Sequence, residues 1–351
     1  MEGGTSKQPL IERLSPNAAR AVLILLAVVA ATLVWVALGM SEVPRRTGPS
    51  DLDTYERVVR SLRAGGDYYS SLHQALLDGG YGTISPLNWR TPVFLTVLSW
   101  FPTLAMAQWA LGGLTAIAWG LTVAFIVRRA GIATAIWAGV VLALSLVAIA
   151  APRAELSFEL CAGTLILISM SAYGLGWRWL GVVAGLAALF MRELAIVYVL
   201  VCLVDAFRRR DRGEGVAWLV GLAAYGAFYT WHMQQIAALL GSADHAAANG
   251  WLQFGGLVFV LRTAAFNGVL LVVPYWVAAI VLTVGLAGLA RLPQALATVA
   301  LYLLLFLVYG RPENDYWGGL MAPLVALGVV FAPAMIGALW RRAVAAGSTS
   351  T

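Results

Sequence analysis

Charge is scarce in this chain. Only 11% of its 351 residues are Asp, Glu, Lys or Arg, against roughly 25% in a soluble domain. With 61% apolar residues and a mean hydropathy of +0.82, that scarcity excludes an ordinary soluble protein and predicts a polytopic membrane protein. Lysine is nearly missing, Lys7 being the only one. The net charge of +6 therefore rests on arginines. They sit where cytoplasmic loops are expected, so the charge is topological and no nucleic-acid partner is expected. The two cysteines, Cys161 and Cys202, lie in apolar stretches without metal-ligand spacing and read as packing residues. The three histidines are scattered, which argues against a zinc site. A Walker loop, a GxSxG elbow and a Rossmann fingerprint are all missing, so bound ATP is not the expected energy source. There is no internal repeat and no low-complexity tract. The first apolar run, Ala21 to Met40, is long enough to span and lacks a clear cleavage site.

What is there is a series of apolar runs: Arg20–Met40, Leu104–Val127, Ile132–Ala150, Phe158–Gly176, Gly215–His232, Gly268–Ala290, Pro293–Gly310 and Gly318–Trp340. The stretch Trp177–Phe207 reads either as one long helix or as a hairpin of two short ones. Charge decides between them, because Lys and Arg collect in cytoplasmic loops. A single crossing would put Arg208, Arg209, Arg210 and Arg212 outside and give every later loop the wrong sign. Two crossings make Arg192 and Glu193 an outer tip and return the arginine run to the inside. The expectation is an all-α membrane protein with about ten transmembrane helices. It has a tail over 1–19, one transmembrane domain over 20–342 and a second tail over 343–351, both tails cytoplasmic. The tail to about Pro16 and the final GSTST are expected to be disordered.

The outer face then collects a long first loop, about 41–92, and the short loop Pro152–Glu159 with Arg153 and Glu155. It also collects the Arg192–Glu193 tip, a loop from about Gln234 to Thr263, and the RPENDYW segment from Arg311 to Trp317. In the fourth of these, Trp251, Phe254, Leu257, Val258 and Leu261 recur at helical spacing and predict an interfacial amphipathic helix, weakened by Gly255–Gly256. In the first loop a helix is predicted from near Leu52 with Ser50 or Asp51 as its cap. Asp51 and Asp53 read either as cap and first-turn acids or as a general base that takes the proton from an acceptor hydroxyl. Arg192 and Glu193 interrupt an apolar run, a costly placement that points to a site. They form a simple ion pair, or Arg192 binds phosphate through two parallel hydrogen bonds. Arg90 is an interfacial anchor or a second phosphate ligand. Arg311 and Asn314 belong to a polar outer turn that either only turns the chain or lines the site.

In order and motif, these elements resemble the GT-C superfamily of membrane glycosyltransferases, and within it the GT87-type mannosyltransferase group. The resemblance is carried by DLDTY (Asp51 to Tyr55), AGGDYY (Ala64 to Tyr69), SPLNWRTPV (Ser85 to Val93) and GLAALFMRE (Gly185 to Glu193). It implies a GT-C-like fold in a bacterial inner membrane, with an extracytoplasmic active site. It implies inverting transfer of a hexose, mannose in that group, from a polyprenyl-phosphate donor to a lipid or glycan acceptor. Asp51 falls on the superfamily's catalytic acid, and Asp53 completes a DxD-like pair. Tyr55, Arg90, Arg192, Glu193, Arg311 and Asn314 become the expected substrate-binding residues. No cofactor is expected, and a divalent cation stays open. Arg90 departs from the group's apolar or proline position. The rival readings are a lipid or glycolipid transporter or flippase, and a polymerase or ligase of O-antigen type.

Overall fold

The computed structural model describes residues 14–41, 50–246 and 253–345. The two expected disordered tails, and Trp251, lie largely or wholly outside them. Among the described residues every regular element is a helix. Helix α1 (Pro16–Leu38) is followed by three short helices, α2 (Asp51–Arg63), α3 (Tyr68–Asp78) and α4 (Pro92–Ser99). Then come α5 (Leu104–Ala130), α6 (Ile132–Leu146), α7 (Phe158–Leu175), α8 (Arg178–Met191), α9 (Ile196–Arg208) and α10 (Arg212–Leu239). The chain ends with α11 (Gly256–Ala265), α12 (Tyr275–Leu289), α13 (Pro293–Val308) and α14 (Ala322–Val344). Five segments are long and apolar enough to cross a membrane: Pro16–Leu38, Leu104–Ala130, Ile132–Ala150, Phe158–Leu175 and Ala322–Val344. That is consistent with a membrane protein. The outside of the bundle is correspondingly apolar, with Trp35, Trp109, Ile136, Val183 and Val220 exposed.

Helix boundaries follow local chemistry rather than hydropathy alone. Helix α1 starts ahead of the predicted Arg20, because Ser15 caps it and Pro16 occupies its first turn. The predicted run Gly268–Ala290 is broken. Its first residues form a 3-10 turn, Gly268–Val272, and Pro274 precedes α12. The predicted Gly215–His232 is the middle of α10, a longer helix capped by Asp211. Phe254 is exposed ahead of α11, which begins at Gly256 and buries Phe259, Val260 and Leu261.

The Trp177–Phe207 stretch is a hairpin. Helix α8 stops at Arg192, whose backbone is extended, and α9 starts after the turn Glu193–Ala195. A Cβ built on Gly185 would lie 3.1 Å from the Tyr198 ring and 2.6 Å from Trp218. In one straight helix Gly185 and Tyr198 would be roughly 20 Å apart. At the other end Arg178 pairs with Asp211, joining the start of α8 to the residue that caps α10 after the α9 turn.

Arginines mark one end of the bundle. Arg128 donates to Leu175 O and Arg129 to Arg291 O, while Arg20 reaches Ala343 O and Arg342 reaches Leu14 O. Ala290 packs with Ala19, Leu339 and Ala343, which brings the two sets together. The opposite end carries α2, α3, α4, the hairpin tip and the 3-10 stretch Pro312–Leu320. A large core runs from Leu33 through α7 to Phe331. A second cluster under the first loop joins Tyr55, Leu72, Trp89, Leu95 and Phe158.

Helices α12 and α14 meet through glycine. A Cβ on Gly288 would lie 1.8 Å from Gly328 O, so the two backbones touch. Gly288→Ala is expected to push the helices apart and cost about 1–3 kcal/mol. Gly120→Ala, where a Cβ meets nothing within 4 Å, is expected to be neutral or to stabilise by about 0.5–1 kcal/mol. Thermal melts of the two purified variants check this: Gly288→Ala should melt lower than the parent, and Gly120→Ala no lower.

Candidate functional site

The first loop builds its site on α2. Ser50 caps the helix and accepts from Asp53 N, while the Asp53 carboxylate accepts from Ser50 N at 2.7 Å, a reciprocal capping box. Asp53 Oδ1 also accepts from Arg153 at 2.5 Å. The Ser50 hydrogen bonds, and then Arg153, hold this carboxyl well below the usual carboxylate range. Asp51 and Tyr55 lie one turn apart on one face of α2, and Asp53 lies on another. The two acids are therefore separated. Asp53 serves the cap and its ion pair, whereas Asp51 faces the end of the bundle.

Both Asp51 oxygens accept from phenols, Oδ1 from Tyr81 at 2.6 Å and Oδ2 from Tyr316 at 3.0 Å. Tyr316 has one proton. Once that is given to Asp51, its oxygen accepts from Arg90 Nη2 at 3.2 Å. It also lies 3.2 Å from Asn314, whose buried Nδ2 otherwise has no hydrogen bond. Turning the Asn314 amide so that its N–H faces Tyr316 satisfies both groups.

Arg90 is 5% exposed. Pro92 opens α4 just after it, and Tyr68 holds its carbonyl at 2.7 Å. Its Nε donates to Tyr55 Oη at 2.9 Å and its Nη1 to Leu87 O at 3.3 Å. The acid paired with it, Glu193, lies 3.8 Å away. Its hydrogen-bond acceptors are thus neutral.

Arg192 is more enclosed, at 1% exposure. It pairs with Glu193 and, through Nε, with Glu159 Oε1 at 2.7 Å, although that N–H does not point at the oxygen. Tyr302 on α13 anchors the tip by donating to Leu194 O at 3.0 Å. Three acids, Asp51, Glu159 and Glu193, thus surround two guanidinium groups at one end of the bundle.

The structure brings together Asp51, Tyr55, Arg90, Arg192, Glu193 and Asn314. Arg311 pairs with Glu313 at 2.6 Å. Sequence reasoning passed over Glu159, Tyr81 and Tyr316. Glu159 carried a usable signal, an acid inside the apolar helix α7. The tyrosines carried none, since a phenol at a membrane boundary is ordinary.

Two histidines fasten the loop from the side. Tyr69 on α3 bonds His232 on α10 at 3.0 Å, and His73 bonds Asp244 at 2.7 Å. Thr83 N donates to His245 O at 2.9 Å. Among the described residues no group of three or more His, Cys, Asp or Glu is placed to hold a metal ion. The arrangement offers a half-buried carboxylate held by two phenols, one of which links it to the Arg90 guanidinium, while Arg192 shares Glu193 with Arg90. Comparison with protein-family models, with curated proteins and with solved structures finds no match to this chain.

Proposed function

We propose that this protein is a membrane glycosyltransferase of GT-C type. It moves a hexose from a polyprenyl-phosphate donor to a lipid or glycan acceptor, with inversion. The observation that carries the reading is the shared hydroxyl of Tyr316, which links Asp51 to Arg90. A base and a cation are held in one hydrogen-bonded unit, which a displacement at a sugar carbon requires. In that step the acceptor oxygen bonds to the anomeric carbon, its proton passes to Asp51, and the sugar–phosphate bond breaks. The electron pair leaves with the lipid phosphate, beside Arg90. Arg90 suits the phosphate better than Arg192 does, because its hydrogen bonds go to neutral oxygens and a phosphate need not displace a close carboxylate.

In this reading α1, α5, α6, α7, α8, α9, α10, α12, α13 and α14 cross the membrane in ten passes. The arginine-marked end is cytoplasmic, and the site opens on the outer face of a bacterial inner membrane. The prenyl chain lies among the helices and the sugar at the boundary. The test is transfer of radiolabelled sugar from a polyprenyl-phosphate sugar in proteoliposomes, run beside an assay for flipping of the same compound. Arg90→Lys keeps the charge and loses the planar fork, so transfer should fall on the order of tenfold or more. Flipping without transfer, or unchanged transfer by Arg90→Lys, would sink the reading.

A further inference from the structure

The opposite end of the bundle has a groove of its own. The α7–α8 and α9–α10 turns border a shallow, open concavity of about 530 Å³, lined by Trp177, Arg178, Trp179, Leu180, Arg209 and Asp211. Within it Arg178 pairs with Asp211 and lies 4.7 Å from the Trp179 ring, while Arg209 pairs with Asp205 and Glu214. The same turn adds Arg208, Arg210 and Arg212, which are exposed and make no ion pair. Five arginines against three acids leave a surplus of positive charge.

A second observation concerns Arg210. Its φ is 59°, the left-handed region, which side-chain-bearing residues occupy at a cost and glycine does not. A turn that only had to reverse the chain would be easier with glycine there.

The third is the wall that leads away from the groove. Trp177 and Trp179 are about half exposed, as tryptophans are at membrane interfaces. Beyond them Leu180 and Val183 on α8, and Val216, Leu219 and Val220 on α10, present apolar side chains outward. These two helices touch, Leu186 lying against Gly221. A cationic aromatic groove continued by an apolar valley fits a ligand with an anionic head and a hydrocarbon tail.

We propose that this groove binds the phosphodiester headgroup of an anionic phospholipid, with the acyl chains along α8 and α10. The unpaired arginines supply the attraction and the tryptophans set the depth. The inference needs the apolar helices to span a bilayer and is independent of the glycosyl-transfer reading.

The experiment titrates phosphatidylglycerol, or phosphatidylcholine with the same chains, into the full-length protein in detergent, with native mass spectrometry as readout. The expected result is preferential retention of phosphatidylglycerol. Exchanging Arg208, Arg210 and Arg212 together for Gln should weaken it on the order of 100-fold, at roughly fivefold per arginine. Arg210→Gly separates recognition from folding. It should raise the melting temperature by about 2 °C, by relieving the backbone, and still weaken phosphatidylglycerol binding roughly fivefold. Equal retention of the two lipids, or full retention by the triple variant, would overturn the proposal. So would inorganic phosphate binding alone, lost in the triple variant with no preference among lipids, which would make the groove a site for soluble anions.

Discussion

Purified Asp51→Asn protein is expected to melt within a few degrees of wild type and to lose sugar transfer by about 10²–10⁴-fold. The asparagine keeps the shape of the carboxylate and an oxygen that can accept from one of the two phenols, Tyr81 or Tyr316. Its amide can donate to the other phenol's oxygen. What it cannot do is receive a proton. Asp53→Asn should behave in the opposite way. Its carboxylate closes the capping box and holds Arg153, so its loss should cost about 0.5–2 kcal/mol of stability and little transfer. Activity per folded molecule, measured beside the melts, distinguishes the two. An active Asp51→Asn protein together with a dead Asp53→Asn protein would exchange their roles. Two active proteins would make both acids structural.

Arg192→Ala is expected to fail earlier, in folding. Glu159 is 3% exposed and loses its ion-pair partner, and Glu193 loses its nearer one. Removing one member of a buried pair typically costs about 3–5 kcal/mol, because the remaining charge has nothing to offset its burial. The sequence motivates Arg192 as a phosphate ligand, and the structure gives the same residue a structural task. A double variant, Arg192→Leu with Glu159→Leu, should recover much of the lost stability, since replacing both partners by apolar groups is often neutral. With Arg192→Leu and Glu159→Leu as the single variants, the double variant should be destabilised by much less than the sum of the two, as read from melts in detergent. An Arg192→Ala protein with wild-type stability and no transfer would return Arg192 to the substrate.

Much of the fold was legible because charge and apolar runs are local. The arginine run from Arg208 to Arg212 required a reversal, and the break at Arg192–Glu193 lies where that argument put it. The cap was legible to within one residue, Ser50 or Asp51, and the structure places it at Ser50, with Asp53 three residues on closing a capping box. Helix ends were less so, because Pro274 and the Gly268 backbone override hydropathy. For the site, the charged members announced themselves by their cost in an apolar context. The side on which each falls did not. Asp51 and Asp53 are near twins in sequence, and only the helical rotation of α2, with Arg153 waiting on one side, separates them. The Tyr316 link joins residues 51 and 316 across most of the chain, and no local pattern encodes it.

The two halves of the hairpin are short. Helices α8 and α9 have 14 and 13 residues, and α13, which packs against α9, and α12 beside it have 16 and 15. At 1.5 Å per residue these rods are roughly 20–24 Å long, against a hydrocarbon thickness of about 30 Å. Helices α5 and α10, with 27 and 28 residues, exceed it. Val183, Val204, Ile280 and Leu304 face outward from the short set. In the proposed ten-pass arrangement, a bilayer meeting that flank would thin, at a fraction of a kcal/mol per Å of mismatch. The headgroup plane would then dip on the side where Arg192 and Glu193 end α8. If the proposed lipid-linked donor binds there, its phosphate would be lowered by the shape of the membrane itself, before any side chain touches it.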